Sequence, residues 1–144
     1  MSAGTIMSGR DFLDTNVLLY ALNESAPAKH RVAKALVARA IAGEFSISTQ
    51  VLGEFAAVTL SKFRDHLTPR DVLALLDTLT PIPLVNLDAE MVRRAVEAHA
   101  AYGIHFYDGM IIAAAERAGS TKIWSEDLNP GQKYFGVEVV NPFV

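Results

Sequence analysis

Cysteine is absent from the 144 residues. That excludes a disulfide framework and any thiolate-held metal. The four histidines, His30, His66, His99 and His105, are scattered, and no pair stands at a spacing that holds zinc. Long apolar runs are missing: none approaches the ~20 residues a membrane span needs. Residues 1–10 lack the apolar stretch of a secretory signal. No Gly-x-x-x-x-Gly-Lys-Ser/Thr loop occurs, which sets aside P-loop nucleotide hydrolases. Positive charge is in short supply as well. Thirteen Lys and Arg against 16 Asp and Glu leave a net charge of −3, the reverse of the basic surface of a general nucleic-acid binder. Neither an internal repeat nor a low-complexity linker interrupts the chain. These absences lead us to expect a cytoplasmic protein without a membrane segment.

What remains is a globular composition, 51% hydrophobic and 20% charged, in a chain long enough for one domain with a real core. Phe12-Leu13 reads as a short buried strand ending at Asp14, followed by a turn and a helix. Helical periodicity covers 27–42, with Gly43 as its cap, and alternation marks a strand over 45–48. A third helix opens at Ser48-Thr49-Gln50 and runs to about Lys62. Thr68-Pro69 starts a fourth, a cap followed by proline at the first position. Residues 81–85 form a strand whose prolines place it at a beginning or a sheet edge. A fifth helix runs from Asp88 to Tyr102-Gly103, with Arg93, Arg94 and Glu97 on a solvated face. The helix after Phe106-Tyr107-Asp108-Gly109 is apolar nearly all round, hence buried. Residues 121–124 and 137–140 are the last strands. The order predicts an α/β fold: one mostly parallel central sheet of four to five strands flanked by helices.

Four acids share one character. Asp14 and Asp127 follow strand ends, Asp108 begins the buried helix, and Glu54 borders the apolar face of its helix with no basic residue at i±3 or i±4. Each has a plain structural alternative. Asp14 in Asp-Thr-Asn is also a good helix cap, and Asp108 complements a helix dipole. Together they suggest one cluster at the carboxyl edge of the sheet, where parallel α/β folds bind ligands. Four carboxylates converge only if neutralised, since like charges raise one another's pKa. Mg²⁺ or Mn²⁺ suits such oxygen ligands, and beside a phosphodiester would support hydrolysis. Setting these four aside leaves twelve acids against thirteen Lys and Arg, so the rest of the chain permits nucleic acid as substrate. A phosphatase with Asp-x-Asp after its first strand fits less well, because Asn16 stands where the second Asp would be.

The blocks 12–20, 50–55, 106–115 and 124–128 make the sequence resemble the PIN-domain family, in particular VapC-like ribonuclease toxins of type II toxin–antitoxin systems. The resemblance implies a Mg²⁺-dependent endoribonuclease with Asp14, Glu54, Asp108 and Asp127 as the catalytic, metal-holding acids. It implies supporting roles for Asn16 and Ser125. The Ser-x-Asp pattern selects Ser125 and Asp127 over the adjacent Glu126. It further implies an RNA substrate, a cognate antitoxin that reaches operator DNA through its own other domain, and a homodimer. A PIN nuclease that processes RNA without toxicity, or an inactive binding module on the same fold, are the alternatives. The PIN-like domain is expected over 11–144, with 1–10 as a disordered extension or a start-site artefact.

Overall fold

The computed structural model describes residues 9–144. The expected disorder of 1–10 thus falls mostly outside the described residues. Arg10 is tied to the body: its Nε donates to the Gly43 carbonyl at 2.5 Å, and Ser120 Oγ donates to its carbonyl.

The elements, in order, are β1 (Asp11–Leu13), α1 (Thr15–Tyr20), α2 (Pro27–Ile41), β2 (Phe45–Ser48), α3 (Thr49–Lys62), α4 (Pro69–Leu79), β3 (Leu84–Val85), α5 (Ala89–Tyr102), α6 (Phe106–Arg117), β4 (Lys122–Trp124), β5 (Lys133–Tyr134) and β6 (Val137–Val140). The strands form one sheet in the order β3-β2-β1-β4-β6-β5, parallel except for the β5–β6 pair. Six strands exceed the expected four to five. The extra one, β5, is two residues long and too short to show a period of two.

β1 lies at the centre, with Phe12 opposite Ser46 on one side and Ile123 on the other. Adjacent strand residues point to opposite faces. Phe12 and Leu13 are both fully buried, so both faces of the sheet are covered. A buried parallel sheet requires this. Helix α6 packs on β2, β4 and β6 and pairs with α5, whereas α1 packs on α2 and α3.

Local chemistry sets the helix ends. Thr68 and Asp71 form a reciprocal capping box at α4, with Pro69 at the first position. Asp88 caps α5, which ends on Gly103 at φ +69°, a left-handed conformation suited to glycine. Gly109 lets α5 and α6 approach closely: a Cβ there would sit 2.7 Å from the Ala95 carbonyl oxygen.

One expectation on α5 holds only in part. Arg93 and Glu97 are exposed, but Arg94, with 36% of its side chain exposed, is also held by partners. Its guanidinium makes paired hydrogen bonds of 2.9 Å to Glu116 of α6, bonds Glu97 and lies 3.4 Å from the centre of the Phe135 ring. Glu116 and Phe135 come from elsewhere in the chain, so the helical pattern could not reveal them.

Candidate functional site

Because β1, β2, β4 and β6 run parallel, their carboxyl ends share one edge. Asp14 follows β1 there, and Ser125, Glu126 and Asp127 follow β4. Helix α3 starts directly after β2 and carries Glu54, while α6 brings Asp108 in its first turn.

Asp14 proves to be a cap and a member of this edge at once. Its Oδ1 accepts the Thr15 backbone N–H at 2.7 Å, closing the start of α1. Its Oδ2 accepts the hydroxyl of fully buried Ser125 at 2.7 Å. Ser125 Oγ in turn accepts the Asp127 backbone N–H at 3.2 Å. On the other side, Thr15 Oγ1 donates to Glu54 Oε1 at 2.7 Å. Gln50 Nε2 donates to Glu54 Oε2 at 3.3 Å and to the Tyr107 carbonyl at 3.0 Å. These bonds thread from the end of β4 through α1 and α3 to the residue before Asp108.

The electrostatics join the acids. Burial pushes the Asp14 carboxyl up to about 6. Its bonds to Ser125 and Thr15 oppose this, and the charges of Asp127 and Glu54 add to it. Asp108 is also raised, first by burial and then by Asp127, with Glu54 adding; His105 draws it the other way. Thus Asp14 and Asp108 both feel Asp127 and Glu54, and all four predicted acids share one field.

They are not closed into a ready-made cage. Among the described residues, no three Asp, Glu or His side chains stand together as metal ligands. The donor set nevertheless fits a hard cation, being all oxygen with no thiolate or imidazole pair. Asn16, two residues after Asp14, has both side-chain amide atoms buried without a hydrogen-bond partner, as has Gln50 Oε1. Buried polar atoms are costly when unpaired, so these fit a place completed by a hydrated ion or its water.

Glu126 turns away from this field. It accepts from Tyr20 Oη at 2.8 Å and pairs with Lys29, whose hydrogen bond holds its carboxyl below the usual range. His105 caps α6 through Nδ1 and the Tyr107 N–H. The largely apolar cleft of about 260 Å³ lined by Leu18, Leu22, Val37, Phe55 and Leu79 contains none of the acids.

Thr15 and Gln50 are the residues that sequence reasoning missed. Gln50 stands four before Glu54, the spacing that places two side chains on one helix face. Thr15 gave no comparable signal, because its partner is 39 residues away.

Comparison with known proteins gives a consistent result. The model of the PIN domain family matches residues 12–135. No curated protein sequence matches the chain. Among solved structures, a toxin–antitoxin complex from Klebsiella pneumoniae superposes with a TM-score of 0.69 at 19% identity, covering 92% of this chain and 98% of that one. VapC20 of Mycobacterium tuberculosis, described as a toxin cleaving the sarcin–ricin loop, gives 0.61 at 21% identity over 81% and 88%. DNA-bound VapBC from Salmonella typhimurium gives 0.64 at 16% identity over 90% and 96%. At these identities the structural likeness speaks for the fold, and the matched family model, spanning most of the chain, assigns it: this protein belongs to the PIN domain family.

Proposed function

We propose that the chain is a Mg²⁺-dependent endoribonuclease, the toxin of a type II toxin–antitoxin pair, with Asp14, Glu54, Asp108 and Asp127 as its metal-holding acids. One observation carries the reading: the hydrogen-bonded thread Ser125–Asp14–Thr15–Glu54–Gln50–Tyr107, which draws acids from distant parts of the chain to one edge.

In this reading Ser125 and the Thr15 N–H orient the Asp14 carboxylate, Thr15 Oγ1 and Gln50 orient Glu54, and Asn16 faces the hydration of the bound ion. Mg²⁺ or Mn²⁺ held there supplies charge neutralisation and polarisation of a phosphodiester. Burial of Asp14 strengthens the charge interactions at its own carboxylate, while Asp127 stays exposed to solvent. The solved toxin–antitoxin complexes of the same fold support a cognate antitoxin as partner. A homodimer and a cytoplasmic location complete the proposal.

RNA cleavage by the purified chain, with Mg²⁺ or Mn²⁺ against EDTA, tests this. Cleavage should vanish with EDTA and in Asp14→Asn or Asp108→Asn, with circular dichroism unchanged. Wild-type rates in EDTA or in either variant would overturn the assignment.

A further inference from the structure

Beside the acids stands an aromatic pair that the proposed chemistry leaves unused. The Tyr107 side chain is more than half exposed. Its ring stacks on that of His105, with centroids 5.8 Å apart and planes 25° apart. The Phe106 ring meets it edge-on at 5.2 Å. An apolar hollow of about 300 Å³, walled by Val96, His99, His105 and Phe106, opens beside the pair. An exposed tyrosine packed this way presents a large apolar face to solvent.

Its register against the acids is fixed as well. Tyr107 immediately precedes Asp108, and its carbonyl is held by the same Gln50 amide that binds Glu54. Behind it, α6 is seated on α5 through the close approach at Gly109. The backbone that carries the ring is therefore tied to the helices that carry Glu54 and Asp108.

An acidic centre also needs a source of affinity other than charge. Lys29, the cation against Glu126 just after β4, is already paired with that acid. Stacking on an aromatic ring binds a base without positive charge and works for any base, because each has a π-face. Only an unpaired base can reach such a ring, since bases within a helix are covered by their neighbours.

We propose that the His105–Tyr107 pair is a stacking platform for one unpaired nucleobase of the RNA, adjacent to the phosphodiester that is cut. This deepens the ribonuclease reading and rests on it. The platform gives the site its selectivity for single-stranded or looped RNA and sets which phosphate lies over the acids.

The test uses a short single-stranded RNA of mixed sequence and copies carrying an abasic ribose at each position in turn. Binding is measured by fluorescence anisotropy on Asp14→Asn, which holds RNA without cutting it, and KM and kcat on the active chain. Tyr107→Ala should weaken binding by about 5- to 150-fold and raise KM more than it lowers kcat. Tyr107→Phe and Tyr107→Trp should bind like the parent. One abasic position should weaken binding to the parent but not to Tyr107→Ala. Should Tyr107→Ala melt early, Tyr107→Leu keeps the apolar bulk and removes the aromatic face. Cleavage and binding that ignore both Tyr107 and every abasic position overturn the platform alone. A wild-type chain that neither binds nor cuts RNA overturns the platform and the ribonuclease reading together.

Discussion

Asp14 is the residue where fold and proposed chemistry meet, and its ionisation gives a signed prediction. Its folded pKa of about 6 lies above the ordinary 3.8, chiefly through burial. Between those two values the folded chain keeps a proton that the unfolded chain has released. Stability from this residue therefore falls as pH rises through that window and stays lower above it. At pH 7 the deficit is about 3 kcal/mol. Asp14→Asn keeps the shape and removes the charge, so without metal it should melt roughly 6–12 °C higher at pH 7. That advantage should shrink toward pH 4. Equal melting at both pH values would show that the carboxylate is not strained by burial. Gln50 gives a second test. Gln50→Ala frees one oxygen of Glu54, and losses of such supporting bonds at metal sites typically cost about 10- to 100-fold. Cleavage kinetics at saturating metal should show a fall in that range, and an unchanged rate would remove Gln50 from the site. Asp14 was legible in the sequence because an acid after a short apolar strand is a local pattern. Thr15 was not, because its role is a bond to a side chain on another helix.

Among the elements, α5 and α6 form the closest pair, and glycine decides their distance. Gly109→Ala would set a methyl 2.7 Å from the Ala95 carbonyl. The helices must part, at a cost of about 1–3 kcal/mol, and thermal melting should fall by several degrees. Gly53 is the opposite case: exposed on α3, with nothing within 4 Å of an added Cβ. Gly53→Ala should stabilise by about 0.5–1 kcal/mol through helix propensity. Both melts together check the packing, and the same sign for the two would contradict it. Periodicity and capping residues made the helices readable, from Pro27 at the start of α2 to Gly103 at the end of α5. The pattern fell short where partners are remote. Arg94 looked solvated by its helical neighbours, yet Glu116 and Phe135 claim it. Strand β5 owes its existence to pairing with β6 rather than to its own two residues.

At the scale of the whole molecule, the candidate site has no local existence: its acids lie on or beside β1, α3, α6 and β4. Their common edge was legible once the alternation of strands and helices implied a parallel sheet, because such a sheet aligns its strand ends. The hydrogen-bonded thread from Ser125 to Tyr107 was not, since its partners lie far apart in the sequence. A cation held by the acids should stabilise the fold by mass action, about 2.7 kcal/mol at a hundredfold excess over Kd. Melting temperature should rise with Mg²⁺ or Mn²⁺ in the wild type and stay flat in Asp108→Asn. An equal rise in both would place the ion elsewhere. The bond from Ser125 to Asp14 has a temporal consequence too. The two residues are 111 positions apart, and a ribosome adding roughly 5–20 residues per second needs on the order of 5–20 s to pass from one to the other. Throughout that interval the growing chain carries its first acid without the hydroxyl that orients it. The proposed site therefore cannot be complete until Ser125 has been made, late in the synthesis of the chain.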